Sequence, residues 1–175
     1  ARLASTASLC AVSVPWLLRP EEFSVPRLGS LNLHPSLLPK YRGPLPWFWQ
    51  YYAGEPMFGV TVHVMDEGED TGPIVAQEAF QVEPGTDVID TIQRASVIGG
   101  CLFADAVDAF ERGRAQLTPQ RPNGGPRARR VRRNEPLVDW ERWSLSRVWH
   151  VMRGTYPWLD AFRWTRGWWC RGPWT

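Results

Sequence analysis

An α/β fold, a sheet flanked by helices, is what this 175-residue sequence predicts. Three observations carry that reading. Apolar or alternating runs at 9–14, 31–34, 59–65 and 74–82 have the period of strands. From Thr86 to Gly113, apolar side chains recur at helical spacing instead. Hydrophobic residues make up 43% and charged residues 22%, ordinary values for a globular chain long enough to bury one core.

The elements follow in order. Leu-Cys-Ala-Val-Ser-Val at 9–14 reads as a buried strand. Pro20-Glu-Glu-Phe is a short helix, with proline where a first turn tolerates it. Arg27-Leu-Gly-Ser turns into the strand 31–34, which Pro35 ends because proline cannot donate to a ladder. Between Pro46 and Gly54 lie Trp47, Phe48, Trp49, Tyr51 and Tyr52, read as a helix. The alternating run 59–65 pairs with 74–82 as a hairpin. Thr86 is the expected N-cap of a long helix whose apolar positions are Val88, Ile92, Ala95, Ile98, Leu102, Ala106 and Phe110, and Gly113 ends it. Residues 122–136 are rich in Pro, Gly and Arg and read as a linker. A short helix is expected near 146–152, before a tail dense in tryptophan and glycine.

Composition excludes several classes. The net charge of +2 argues against a whole-protein nucleic-acid field. Cys10, Cys101 and Cys170 are odd in number and far apart, so neither a zinc site nor a disulfide framework is indicated. No apolar run reaches the ~18 residues of a membrane span, and the start lacks a secretory signal. A cytoplasmic protein is expected. Asp66-Glu-Gly-Glu-Asp70 looks briefly like a calcium loop, but Thr71 stands where glycine belongs and Gln77 where a bidentate glutamate belongs. Ser36 lacks the surroundings of a serine nucleophile. No metal site is expected.

The informative stretch is 31–47, Leu-Asn-Leu-His-Pro-Ser-Leu-Leu-Pro-Lys-Tyr-Arg-Gly-Pro-Leu-Pro-Trp. Asn32 and His34 are two apart on a strand and point to one face, at its end. A hydrogen-bond donor and a titratable imidazole thus project together. Asp70 arrives one hairpin later, before Thr71-Gly72. Singly each has a structural reading, a satisfied strand histidine, an asparagine tying down a loop and a turn aspartate; acyl transfer to an amine, which a family resemblance implies for the set, makes three demands. The oxyanion needs a fixed donor. The proton needs a group titrating near neutrality. The imidazole needs an acid to orient it and stabilise its charged form. For His63 core placement and a substrate-side role are both open, with the core favoured, and His150 is read as a surface or packing residue.

Asn-x-His-Pro-Ser-Leu-Leu-Pro at 32–39, followed by the loop aspartate, resembles the folate-dependent formyltransferases, nearest to the methionyl-tRNA formyltransferase-like branch. The resemblance covers about residues 8–120 well and 137–162 loosely. It implies a Rossmann-like mixed sheet of which this chain holds the C-terminal half. Three regions follow: a partial catalytic domain at 1–121, a basic linker at 122–136, and a truncated C-terminal region at 137–175. The first strands and helices would lie upstream of Ala1, leaving an exposed strand edge. By the resemblance, Asn32 binds the formyl oxygen, His34 transfers the proton and Asp70 holds His34 or an intervening water. Trp16, Leu17, Leu18, Ser36, Leu37, Leu38 and Pro39 would contact the folate.

The implied reaction takes a formyl group from 10-formyltetrahydrofolate to a primary amine, needing neither metal nor covalent enzyme intermediate. The acceptor would be methionyl-tRNA, an amino sugar nucleotide or another small amine. The alternatives are a hydrolase that releases formate and a non-catalytic folate-binding or interaction module. Arg127, Arg129, Arg130, Arg132 and Arg133 make the linker basic, and offer either a tRNA contact or a solvated charge run.

Overall fold

In a computed structural model, four strands form one mixed sheet in the order β1-β2-β3-β4. The structure describes residues 9–12, 18–132, 135, 137–158, 161–164 and 167–170, and the side chains of all but the strands at 9–12, 161–164 and 167–170. Strand β1 (Leu9–Val12) runs parallel to β2 (Ser30–His34). The two are joined through a short helix α1 (Pro20–Phe23). Strand β3 (Met57–Val64) lies antiparallel to β2, and β4 (Ile74–Gln81) antiparallel to β3, with a register shift at Val62/His63. The mixed sheet agrees with the sequence expectation.

Helix α2 (Pro46–Ala53) starts on a proline and stops at Gly54, whose φ of 70° is a left-handed cap that other residues adopt at a cost. Helix α3 (Val88–Glu111) lays its apolar stripe on the sheet. Val88, Ala95 and Ala106 are buried, and Ile92, Ile98, Leu102 and Phe110 pack beside them. The N-cap is Asp87, not Thr86: the Asp87 carboxylate accepts from Ile89 N, while the Thr86 hydroxyl donates back to Glu83 O. Both residues have capping chemistry. The turn before them decides which one caps.

The region after α3 departs most from expectation. Over 126–128 the expected linker is paired rather than free. Tyr41 N donates to Pro126 O at 2.6 Å, Leu45 N to Ala128 O at 3.0 Å, and Ala128 N to Arg42 O at 2.7 Å. Ala128 is fully buried. These pairs stitch 126–128 onto the loop that leaves β2. Arg127 pairs with Glu69, and Arg129 pairs with Glu135 while lying over the Trp49 ring. Exposed ion pairs contribute only ~0–1 kcal/mol each. The backbone pairing and the buried Ala128 therefore hold the strap, and the arginines follow it.

Nor is 137–158 a separate region. Helix α4 (Leu145–Thr155), capped by Ser144, packs on α2. Phe48 from α2 joins Leu137, Val138 and Val148 in one buried cluster. His150 is buried rather than on the surface. Its Nδ1 accepts from Gly85 N at 3.0 Å, and its ring lies against Tyr51. A two-stranded hairpin, β5 (Ala161–Trp164) with β6 (Gly167–Cys170), follows α4. Among the described residues, no helix is long and apolar enough to cross a membrane.

Candidate functional site

The three motif residues meet. Asp70 stands between two histidines and an amide. Its Oδ2 is 3.4 Å from His34 Nδ1 and accepts from Gly43 N at 2.9 Å. Its Oδ1 is 3.4 Å from Asn32 Nδ2 and 3.5 Å from His63 Nε2. His34 and His63 are buried, and Asn32 and Asp70 half-buried, so the cluster opens toward the last two.

Local structure explains the convergence. The side chains of Asn32 and His34 leave one face of β2 two residues apart. The register of β2 with β3 sets Asn32 opposite His63. Asp70 has a φ of 54°, left-handed for a residue with a Cβ, at the tip of the β3–β4 connection. Gly43 has a φ of 115°, and a Cβ there would come 2.9 Å from Ala128 O. The strap at 126–128 thus fixes the very peptide whose N–H binds Asp70.

The electrostatics follow from burial and partners. Burial pushes the Asp70 carboxyl up. The contact with His63, the His34 ring and the Gly43 N–H outweigh it and hold the carboxyl below its usual range. Burial pulls His34 down, and the opposing pulls of Asp70 and the Tyr41 carbonyl do not restore it. His34 is therefore neutral at pH 7. It has acceptors at both ring nitrogens: Tyr41 O is 2.9 Å from Nε2, and Asp70 Oδ2 faces Nδ1. A neutral imidazole owns one N–H and can serve only one of them. The second acceptor finds its partner when the ring gains a proton. The arrangement is that of a base whose charged form has a counterion in place.

Asn32 Nδ2 lies 3.1 Å from His63 Nε2 and donates over a long 3.4 Å to Asp70. His63 Nδ1 donates to Val64 O at 2.9 Å, and its Nε2 faces both Asn32 Nδ2 and Asp70 Oδ1. The long bond is the one Asn32 can redirect to a substrate oxygen, since such contacts commonly tighten only with substrate bound.

The expected folate contacts divide. Trp16 and Leu17 lie outside the described residues. Leu18, Leu37 and Pro39 are half-buried. Ser36 and Leu38 are buried and face inward: the Ser36 hydroxyl donates to Lys40 O at 2.7 Å, and Leu38 N to Thr61 Oγ1 at 3.3 Å. These two shape the loop from within. Of the basic cluster, Arg127 and Arg129 are matched to carboxylates, Arg130 and Arg132 are exposed, and Arg133 lies outside the described residues.

Sequence reasoning missed Gly43 and Gln120, and favoured the core for His63 over a substrate-side role. His63 is buried as expected, yet among polar partners rather than core side chains. Its signal was available in principle, because two antiparallel strands place cross-strand partners on one face, but the register had to be known first. Gly43 acts through its backbone, and Gln120 comes from a segment with no periodicity.

The sequence model of the family described as "Formyl transferase" matches residues 5–106. A methionyl-tRNA formyltransferase of Thermodesulfovibrio yellowstonii is 34% identical over 147 residues, which span 83% of this chain and 47% of that protein. The chain spans about half the length of the curated relatives it matches. The formyltransferase PseJ of Anoxybacillus kamchatkensis was solved with UDP-4,6-dideoxy-4-formamido-L-AltNAc and tetrahydrofolate. It superposes with a TM-score of 0.62 at 24% identity, over 70% of this chain and 64% of that one. HypX of Aquifex aeolicus, solved with tetrahydrofolic acid, gives a TM-score of 0.68 at 23% identity, over 90% of this chain and 27% of that one.

Proposed function

The chain belongs to the formyl transferase family, and on that footing we propose that it moves a formyl group from 10-formyltetrahydrofolate to the amino group of methionyl-tRNA. One observation supports the chemistry above the others: Asp70 is shared between His34 and Asn32 at 3.4 Å each. In this reading Asn32 donates to the oxygen on which negative charge develops. His34 takes the proton released as the amine bonds to the formyl carbon, Asp70 stabilises the imidazolium, and the proton passes to the folate N10 as the N10–formyl bond breaks and tetrahydrofolate leaves. The methionyl-tRNA acceptor rests on the relative at 34% identity. The test offers the chain 10-formyltetrahydrofolate with methionyl-tRNA, with an amino sugar nucleotide, or with water alone. Formyl-methionyl-tRNA is the expected product. Formylation of the sugar amine instead would move the acceptor, and formate release without either amine would make the chain a hydrolase.

Asn32→Ala should lower kcat more than it raises KM for the folate. A donor to a developing oxyanion acts in the transition state and is worth ~2.7–4 kcal/mol in other acyl-transfer sites. A change confined to KM would make Asn32 a ground-state contact.

The pH profile carries a sign. Burial lowers His34 from the ordinary histidine value of about 6.5, so the ring stays unprotonated below it. The acidic limb of kcat/KM should therefore lie below pH 6.5, with a plateau from there to neutrality. A limb centred above 6.5 would contradict a desolvated base. Stability runs the same way. As pH falls below 6.5, His34 takes up a proton in the unfolded chain before the folded one, which favours unfolding. The depressed Asp70 adds stability above its ordinary value that is lost as pH falls through its folded one.

A further inference from the structure

Asp70 holds a left-handed backbone, unfavourable for a residue with a Cβ, and such a setting persists where its surroundings enforce it. The enforcing group comes from far along the chain. Gln120 Nε2 donates to Asp70 O at 3.0 Å and to Gly72 O at 2.6 Å, which uses both its protons. Gln120 Oε1 accepts from Arg42 Nε at 3.0 Å and from Arg42 Nη2 at 2.7 Å. The Arg42 fork is itself fixed by Pro122 O and Arg121 O, each at 3.2 Å. Beside Arg42 is Gly43, whose N–H holds Asp70 Oδ2. Gln120 reaches this place because Thr118 and Ile74 exchange both backbone bonds, at 2.8 and 2.9 Å.

We propose that Gln120 is a positioning residue: with Arg42 it clips the Asp70–Gly72 loop so that the Asp70 carboxylate sits against His34. Gln120 grips the backbone of Asp70, the peptide after Arg42 grips its side chain, and Arg42 locks the two grips together. The proposal rests on the reading of Asp70 as the partner of the proton-transfer histidine. An amide is required. A carboxylate at 120 would set acceptor oxygens against two carbonyls, while alanine would leave the loop unclipped.

The test compares Gln120→Ala, Gln120→Glu and Arg42→Lys with the parent chain. The first readout is the titration of the His34 ring by nitrogen NMR. The ionisable groups around that ring are Asp70 from the β3–β4 loop and His63 from β3, with the Tyr41 carbonyl on the far side. Asp70 also faces Asn32 and Gly43, and its neighbour Glu69 is paired with Arg127. With the clip gone, His34 loses the charge that favours its protonated form, so its midpoint falls in Gln120→Ala and Arg42→Lys, while Gln120→Glu, which brings a carboxylate of its own, is read by kcat. The second readout is formyl transfer, with kcat expected to drop roughly 10–100-fold and KM for the folate within about twofold, the size a misplaced group of ~1 Å produces.

An unchanged His34 titration in Gln120→Ala and Arg42→Lys overturns the proposal. So does a kcat loss that only follows a fall in melting temperature. Gln120→Ala adds no charge and keeps the test decisive if Gln120→Glu does not fold. If the parent chain formylates no amine, the proposed function fails while the His34 titration still decides the clip.

Discussion

Replacing His34 by alanine should lower kcat for formyl transfer by ~10²–10⁴-fold, the usual worth of a positioned proton-transfer group. Asp70→Asn should fall in the same range. Asparagine fills the same volume and can still accept from Gly43 N, so the loop keeps its shape. It carries no charge, however, so the imidazolium loses its counterion. Because Asp70 raises the affinity of His34 for a proton, Asp70→Asn should also push the acidic limb of kcat/KM to still lower pH. The double variant should be little worse than either single one, as expected of residues acting as a unit. Steady-state kinetics with saturating 10-formyltetrahydrofolate, beside a melting curve for each variant, checks this. Turnover near that of the parent in either single variant removes that residue from the mechanism.

A large stability effect is expected at Gly154. A Cβ there would overlap the Tyr51 ring. That ring cannot yield easily. It is fully buried, meets Phe58 and His150 at 5.0 Å each, and its hydroxyl is bonded to Thr86 and Thr91. Gly154→Ala should cost ~3 kcal/mol or more, at or beyond the upper end for overpacking. In a chain of this size that is a fall of about 6–12 °C in Tm. Gly100 on α3 is the control. It is exposed, with nothing within 4 Å of a Cβ, so Gly100→Ala should stabilise by ~0.5–1 kcal/mol. If α4 were an independent appendage, Gly154→Ala would leave the main transition in place and shift a minor one. A single transition moving as a whole marks α4 as part of the core.

Local chemistry made the sheet and the motif legible. Strand period, the proline stop at Pro35 and the stripe from Val88 to Phe110 each act over a few residues, and each held. Composition misled at 126–128. Arginine, proline and glycine read as solvated chain, but proline and alanine carbonyls there complete the unpaired backbone of 41–45. A segment lacking periodicity can still be ordered by pairing with another irregular segment, and neither shows this alone. His63 shows a different limit: a histidine between valines has the burial of a core residue, and only the β2–β3 register reveals its polar company.

The clip between Arg42 and Gln120 spans 78 residues of sequence. During synthesis, at ~5–20 residues per second, the strand bearing Asn32 and His34 waits about 4–16 s for the glutamine that completes its loop. A nascent chain halted within α3 carries every motif residue and cannot yet hold Asp70 in place. The order in which residues leave the ribosome and the order in which chemistry becomes available are therefore different, and the interval between them is set by the length of the hairpin and helix in between.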